Sequence, residues 1–432
     1  MDESSAPDST DGVDAVSAAQ SLLPEMTLMP PTVSTPWRGL TKCDLSAQLS
    51  SDRVMPLPMV ALDLPWHEIP VEDAEMIATM LRHAGVSTAA LFCELGLSLG
   101  SPDADTGLDV GLNDDLGDDL GNDLSDVLDG VSEEETIGLR INLPILAERA
   151  AQQKAAEEAA RRRQGVRITP YRCDRYGLEL DDLQSTDVID IRLFRHRHES
   201  GRFAYDSQQF RRWEPSSTAG EEEEADASPA LYAAAGWPAD VPDIPDLKKK
   251  IDQMRQLSLI PRDVESDATD VSLPALVFLS IEPYRVSQEL PTLLQCQPDG
   301  VILRMDQMPP AHHRLIPGII RQARQIMDHE SMAGAPLWVA PPFASADDIA
   351  GCIALGANAV AIDCMIMPLF HALREHADQM ADGDAWSRPE KPDVQQAVTE
   401  TVSRLRNRVT GLAASCGLNS IWDLDQTWYA TP

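Results

Sequence analysis

The sequence predicts an α/β protein whose main body is an aldolase-type (β/α)8 barrel, also called a TIM barrel. The segment 336–367, PLWVAPPFASADDIAGCIALGANAVAIDCMIM, has the order strand, loop, helix, strand, loop that is typical of the last two units of such a barrel. From residue 243 onward, short apolar runs alternate with amphipathic stretches, which indicates a parallel sheet with helical crossovers. The chain has 432 residues. A barrel needs roughly 250, so tails and inserts are expected.

The first barrel unit is predicted near residue 56. The run MPLPMVALDLP, flanked by prolines, indicates a buried strand, and VEDAEMIATMLRHAG indicates an amphipathic helix that ends at Gly85. STAALFCEL then indicates a second strand, and a third is predicted over 188–195. Because the stretch near 100–170 lacks a clear strand pattern, barrel elements there are expected to be missing or distorted.

The second half of the barrel follows a regular rhythm. The periodicity predicts helices over 244–257, 286–295, 315–328 and 345–355, and strands over 275–281, 299–304, 336–340 and 358–363. The apolar spacing of QQAVTETVSRLRNRVTGLAASCG predicts a final amphipathic helix.

Acidic segments interrupt the predicted domain, which spans 40–430. Residues 1–25 are expected to be a disordered acidic tail, and 101–136 and 214–230 to be acidic low-complexity inserts. The first insert has no Lys or Arg, so it is interpreted as a solvated loop, with a docking segment for a basic partner as the alternative. It lacks the register of a calcium loop. Alanine-rich residues 144–163 predict a helix.

Composition limits the classes of partner. The net charge of −35 argues against nucleic acid and anionic membranes as partners. The seven cysteines are scattered and form no CxxC pair, which is typical of a reducing compartment. Since the sequence shows neither a signal peptide nor an apolar run of membrane-spanning length, we expect a cytoplasmic protein.

Several passages, taken in order, resemble the central FMN-binding barrel of glutamate synthase, of the ferredoxin-dependent or archaeal type. They are PMVALDLPWHEIPVEDAEMIATMLRHAGVSTAALFCELG, DRYGLELDDLQSTDVIDIRL, IPDLKKKIDQMRQL, the segment 299–367, and VTETVSRLRNRVTGLAASCGLNSIWDLD. The resemblance covers most of 45–100, 165–205 and 240–425. It implies an FMN-dependent oxidoreductase acting on CH–NH2 donors, if the chain is active.

The resemblance also identifies the positions where family members bind the FMN phosphate. Pro341 and Pro342 replace two loop glycines there, and Ala344 replaces an arginine. Proline has no N–H to donate to phosphate, and Asp363 adds a carboxylate where family members have glycine. Ser345 alone keeps a phosphate-capable group at the start of a helix. These positions are therefore predicted to be vestigial.

The other family ligands are altered as well. Arg192 stands at the strand lysine that lies beside the flavin, and Phe278 at a second lysine. Cys364 has none of the neighbouring cysteines that ligate the family's iron–sulfur cluster. We therefore expect no cofactor: neither FMN nor a cluster.

A few polar residues remain as candidates for chemistry. Asp306 follows a predicted strand, where barrel enzymes place acids, although a loop or cap role is the simpler interpretation. His196 and His198 would share a face if their strand continued, and His312 and His313 lie in a loop, but no third metal ligand is evident for either pair, so no metal is expected. Trp66 is interpreted as core or rim packing.

These observations favour a non-catalytic binding or scaffold protein descended from the glutamate synthase barrel, with an unidentified protein partner. Two alternatives stay open. One is an active FMN-dependent oxidoreductase of glutamate synthase type. The other is a barrel enzyme for a new anionic substrate, using Arg192, Arg195, His196, Asp306 and Ser345 at the strand ends.

Overall fold

A computed structural model describes residues 43–97, 163–259, 273–381 and 391–425, apart from gaps at 199, 201, 208, 210–212, 214–230 and 343, together with the short strands 27–28 and 429–430. The predicted acidic tail, both acidic inserts and nearly all of the predicted helix 144–163 lie outside the described residues. The barrel belongs to the unit formed by 1–96 and 164–432.

Eight parallel strands close into a barrel, which confirms the predicted fold. The strands are β1 (Met59–Ala61), β2 (Ser87–Ala89), β3 (Arg167–Tyr171), β4 (Val188–Arg192), β5 (Leu276–Ile281), β6 (Gly300–Arg304), β7 (Leu337–Ala340) and β8 (Ala359–Ala361). Each pairs with the next, and β8 pairs with β1 through Val360↔Met59, so no barrel edge is left open.

Helices follow the strands; the amphipathic periodicity predicts six of those given below, whereas Leu180–Gln184 and Asp363–Ala381 were not predicted. The helices are α1 (Val71–His83), α2 (Leu180–Gln184), α3 (Ile244–Leu257), α4 (Val286–Leu294), α5 (Ile316–His329), α6 (Ala346–Ala354), α7 (Asp363–Ala381) and α8 (Val394–Ser415). The glycine stop after α1 is confirmed by Gly85, whose φ is +91°.

Two predictions about the strands are wrong. Strand β3 supplies an element where elements were expected to be missing or distorted, and it pairs with β2 and β4. The run predicted as a strand over 358–363 ends at Ala361, and Asp363 begins helix α7 instead.

The inside of the barrel is apolar at the amino ends of the strands. Phe278 and Trp338 contact each other with ring centroids 4.5 Å apart. A hairpin formed by Ala47–Gln48 and Val54–Met55 packs beneath them, and Arg53 donates to the carbonyl oxygens of Asp187 and Leu273, just before β4 and β5. The hairpin therefore closes the amino end, and polar chemistry is confined to the carboxyl end.

Candidate functional site

The carboxyl ends of the strands form a mouth that is lined by charged side chains, many of them buried. Each charged residue lies at, or within a few residues of, the end of a strand: Asp63 after β1, Glu94 after β2, Arg172 after β3, Arg192 on β4, Arg304 and Asp306 on and after β6, and Asp363 after β8. Parallel barrels gather catalytic and binding groups at this end. The mouth is therefore the candidate active site.

Arg192, a candidate from the sequence, lies at the centre of the mouth. Its Nη1 donates to Asp63 Oδ1 at 2.9 Å, its Nη2 to the Leu62 carbonyl oxygen at 2.6 Å, and its Nε to Asp190 Oδ2 at 3.2 Å. Asp190 Oδ1 accepts from Ser280 Oγ at 2.5 Å. Arg192 therefore ties β4 to the loop after β1.

Asp306, the other sequence candidate, pairs with the arginine two residues before it. Arg304 donates from Nε and Nη2 to the two carboxylate oxygens of Asp306, at 2.9 and 2.8 Å, and from Nη2 to Asp63 Oδ2 at 2.9 Å. Burial alone would raise the pKa of Asp63, but Arg192 and Arg304 lower it well below its ordinary range. Asp63 is therefore a carboxylate shared by two arginines.

A second buried pair lies across the mouth. Arg172 Nη2 donates to Glu94 Oε1 at 2.5 Å, and Trp213 Nε1 donates to the same oxygen at 3.0 Å. Burial opposes ionisation of Glu94, but Arg172 and the backbone N–H of Leu91 lower its pKa below the ordinary value. The Arg172 guanidinium also lies over the Trp213 ring, 4.4 Å from its centroid. Both members of the pair are therefore charged in the folded protein.

A small pocket separates the two groups of ion pairs. It has a volume of about 10 Å³ and is lined by Asp63, Arg172, Cys173, Arg192, Phe194, His196, Tyr205 and Gln209. His196 stacks on Tyr205, with ring centroids 4.9 Å apart. Burial lowers the pKa of His196 to about 4, which Asp63 opposes and Arg172 reinforces. The imidazole is thus neutral near pH 7.

Polar groups in the loops after β7 and β8 form hydrogen bonds with other groups of the protein. Ser345 Oγ donates to Asp348 Oδ2 at 2.7 Å and accepts from the Asp348 N–H, which makes a capping box at the start of α6. The Ala344 N–H donates to Cys364 Sγ at 3.0 Å. Asp363 Oδ1 accepts the N–H groups of Leu62 and Asp63, both at 2.9 Å.

These contacts decide whether the predicted positions fit an FMN phosphate. Pro341 and Pro342 lack a donor, the donors of Ala344 and Ser345 already have partners, and Asp363 adds a carboxyl group. The residues after β7 and β8 therefore do not fit that phosphate, and no step below depends on it.

Of the remaining sequence candidates, His196 lines the mouth pocket and the others lie apart from it. Strand β4 ends at Arg192, so the condition for a strand face shared by His196 and His198 is not met, and His198 Nδ1 contacts Ser200. His312 Nδ1 contacts the Tyr284 hydroxyl, His313 Nε2 contacts the Met308 carbonyl oxygen, and Arg195 is exposed. Among the described residues, no group of three His, Cys, Asp or Glu side chains is placed to hold a metal ion.

Trp66, interpreted as packing, donates from Nε1 to the Ala89 carbonyl oxygen at 2.9 Å and contacts Phe370 edge-on.

Sequence reasoning missed Asp63 and Arg172 as site residues. The available signal was position alone, because each comes just after an apolar strand run.

No protein-family model and no curated protein matches this chain. Among solved structures, an active chimera of (S)-mandelate dehydrogenase is similar, with 11% identity, a TM-score of 0.51, and coverage of 95% of this chain and 89% of that chain. A soluble mutant of the membrane-associated (S)-mandelate dehydrogenase from Pseudomonas putida gives 10% identity, a TM-score of 0.51 and the same coverage, 95% and 89%. A mandelate oxidase mutant with a monooxide FMN adduct gives 14% identity, a TM-score of 0.46, and coverage of 98% and 92%.

At these identities the likeness shows the fold alone, an aldolase-type (β/α)8 barrel. It does not single out glutamate synthase. The expectation of no cofactor is contradicted, because the similar structures are those of FMN-dependent enzymes. None of the helices within the described ranges combines the length and hydropathy needed to cross a membrane.

Proposed function

We propose that this chain is a (β/α)8-barrel enzyme that acts on a small anionic substrate at the mouth formed by the carboxyl ends of its strands. The observation that carries the proposal is the buried ion-pair cluster of Arg192, Arg304 and Asp63. Arg192 and Arg304 are 5% and 3% exposed, although burying a charge costs several kcal/mol that apolar residues of similar volume would avoid. Such groups persist most often where function needs them.

The mouth also contains groups that can exchange a proton near neutral pH. Burial raises the pKa of Asp363 to about 6, with the Asp63 N–H partly opposing the shift, so this carboxyl group titrates close to physiological pH. His196 is a neutral imidazole at the same pH. A bound anion would thus meet arginines for binding, and a carboxyl group and an imidazole for proton transfer.

The test compares the wild-type protein with Arg192→Met. Both are incubated with a pool of small carboxylic acids, with and without FMN, and products are followed by NMR. Conversion by the wild type alone is expected, because Arg192 lies at the centre of the cluster. Arg285→Met is the control, since Arg285 is exposed and pairs with Glu289 on α4. Conversion that survives Arg192→Met, or no conversion and no retained ligand in the folded wild type, contradicts the proposal.

A second candidate is an FMN-dependent oxidoreductase, which the structural comparisons favour. The likeness to the mandelate dehydrogenase chimera covers 95% of this chain, and proteins with similar structures are FMN-dependent. The glutamate synthase type is its finer form, supported by the sequence resemblance. A flavin would have to be held through contacts other than those after β7 and β8.

The visible spectrum of the purified protein tests this second candidate. Absorbance typical of a flavoprotein, together with the mass of FMN released on denaturation, is the expected result. A colourless protein that also shows no change in melting temperature with added FMN contradicts it. The scaffold hypothesis gains support only if no substrate is converted and an unmodified protein partner is retained.

A further inference from the structure

Two arginine donors in the mouth, Arg172 Nη1 and Arg304 Nη1, are buried without a hydrogen-bond partner among the described residues, and of the two arginines Arg172 lines the small pocket. Arg172 is 7% exposed, and its Nη2 is taken by Glu94, but its Nη1 is buried and has no hydrogen-bond partner among the described residues. Buried donors are nearly always satisfied, so each exception needs an explanation such as a bound water or ion. Arg172 also lines the small pocket of the mouth.

The lining of the pocket contains two arginines, Arg172 and Arg192, and one carboxylate, Asp63, while His196 is neutral. Arg172 also pairs with Glu94 and Arg192 with Asp190, both outside the lining, so the unsatisfied donor rather than an excess of charge favours an acceptor here. Asp63 is already bound by Arg192 and Arg304, each at 2.9 Å. Arg172 is therefore the lining cation with a donor to spare.

The size of the pocket limits what can enter it. A volume of about 10 Å³ accommodates about one water-sized group. It can therefore receive one oxygen of an anionic group such as a carboxylate, with the rest of the ligand outside it. The Gln209 side chain, which is 6% exposed, lines the same pocket and can contribute an amide donor.

We propose that this pocket is a carboxylate subsite in which Arg172 is the principal binding residue and Gln209 assists it. The inference rests on the proposed function, because it locates the anionic group of the substrate within the mouth. It adds two residues to those that the sequence identified. In this arrangement the two terminal nitrogens of Arg172 have different partners: Nη2 donates to Glu94 and Nη1 donates to the ligand.

The experiment measures the melting temperature of the full chain against increasing acetate, with chloride at equal ionic strength as the reference. Phosphate is measured in a parallel series. A saturable rise with acetate beyond that with chloride is expected. Arg172→Gln should weaken the acetate response about tenfold or more, since a charge-assisted hydrogen bond is lost. Gln209→Leu should weaken it by a smaller factor.

Arg175→Gln is the matched control, because Arg175 lies in the same loop, is 46% exposed and pairs with Asp240 outside the pocket. It should respond to acetate as the wild type does. An acetate response equal to that of chloride, or one unchanged in Gln209→Leu and in Arg172→Gln, overturns the subsite. A response to phosphate but not acetate also overturns it.

If Arg172→Gln fails to fold, because Glu94 loses its partner, Gln209→Leu and His196→Phe decide the question. An unchanged acetate response in both then counts against the subsite. Failure of the subsite is distinguishable from failure of the proposed function. If acetate binding depends on Arg172 but no acid is converted, the subsite is supported and the proposed enzymatic function is contradicted. If an acid is converted but acetate does not bind, the proposed function is supported and the subsite is contradicted.

Discussion

Asp363 is the mouth residue whose protonation should shape the pH dependence of stability. Burial raises its pKa to about 6, from an ordinary value of 3.8. Its folded form therefore binds a proton more tightly than its unfolded form. Binding of this proton therefore adds to the free energy of unfolding. The addition is fully present below about pH 4 and is lost as the pH rises through 6.

Asp363→Asn should therefore be more stable than the wild type above pH 6, by about 3 kcal/mol. The asparagine oxygen can still accept the N–H groups of Leu62 and Asp63, while the charge is gone. Urea unfolding between pH 4.5 and 7.5 measures the difference, which should grow with pH and then level off. Asp328→Asn, on the exposed side of α5, should show no such step. A pH-independent difference at Asp363 would falsify the assignment.

Gly300 shows how tightly the interior of the barrel is packed at the amino ends of the strands. It lies directly opposite Phe278 in the β5–β6 pairing, and a Cβ at this position would meet the Phe278 ring at 2.5 Å. Gly300→Ala should destabilise the protein by about 1–3 kcal/mol, because overpacking forces side chains off their rotamers. Gly318→Ala on α5, where nothing lies within 4 Å, should be neutral or slightly stabilising.

Thermal or denaturant unfolding of both alanine variants checks this prediction. The double variant Gly300→Ala with Phe278→Leu should recover part of the loss, since the smaller side chain makes room. Equal effects of the two alanines would show that the ring is free to move aside.

At the scale of elements, helix α6 begins with a capping box formed by Ser345 and Asp348. Ser345→Ala should cost about 1 kcal/mol of stability, because the first turn loses its side-chain acceptor. Ser345→Thr should cost little, because threonine keeps the hydroxyl. Denaturant unfolding measures both. If Ser345 instead held a phosphate, Ser345→Ala would abolish a phosphate-dependent rise in melting temperature and leave the stability without ligand unchanged.

The elements also show what the sequence could predict. Helices α3, α4 and α5 were predicted within one residue at each end, because their apolar periodicity is strong, and α3 and α5 also carry a proline in the first turn. Strand β3 was missed because Pro170 interrupts a short run, and proline normally argues against an interior strand. The neighbours β2 and β4 override that local preference.

The site was less predictable than the fold for a physical reason. The sequence shows that Arg192 lies on a strand and that Asp306 follows one, but not that Asp63 links Arg192 to Arg304 from 129 and 241 residues away. Pairings of this kind depend on barrel closure. Glu94 and Arg172, 78 residues apart, are brought together in the same way.

At the scale of the whole molecule, the buried charges of the mouth should lower the free energy of unfolding relative to apolar residues of similar volume. Arg304→Met alone leaves Asp306 without its partner and should destabilise the protein by about 3–5 kcal/mol. The double variant with Asp306→Leu should recover most of this loss, because the unpaired carboxylate is removed. Denaturant unfolding of the two single variants and the double variant gives the coupling energy. Exposed Arg285→Met with Glu289→Leu should change stability by less than about 1 kcal/mol.

The amino end of the barrel depends on the hairpin of Ala47–Gln48 and Val54–Met55, which closes the apolar interior that supports the mouth. Met55 is fully buried within that interior, whereas the adjacent Val54 is 52% exposed. Met55→Ala should therefore cost about 2–5 kcal/mol, and Val54→Ala less than about 0.5 kcal/mol. Urea unfolding followed by tryptophan fluorescence compares them, since Trp338 reports on the same core. If Met55→Ala loosened only the hairpin, the tryptophan transition would stay at the wild-type urea concentration. A single transition moved to lower urea would show that hairpin and barrel unfold together.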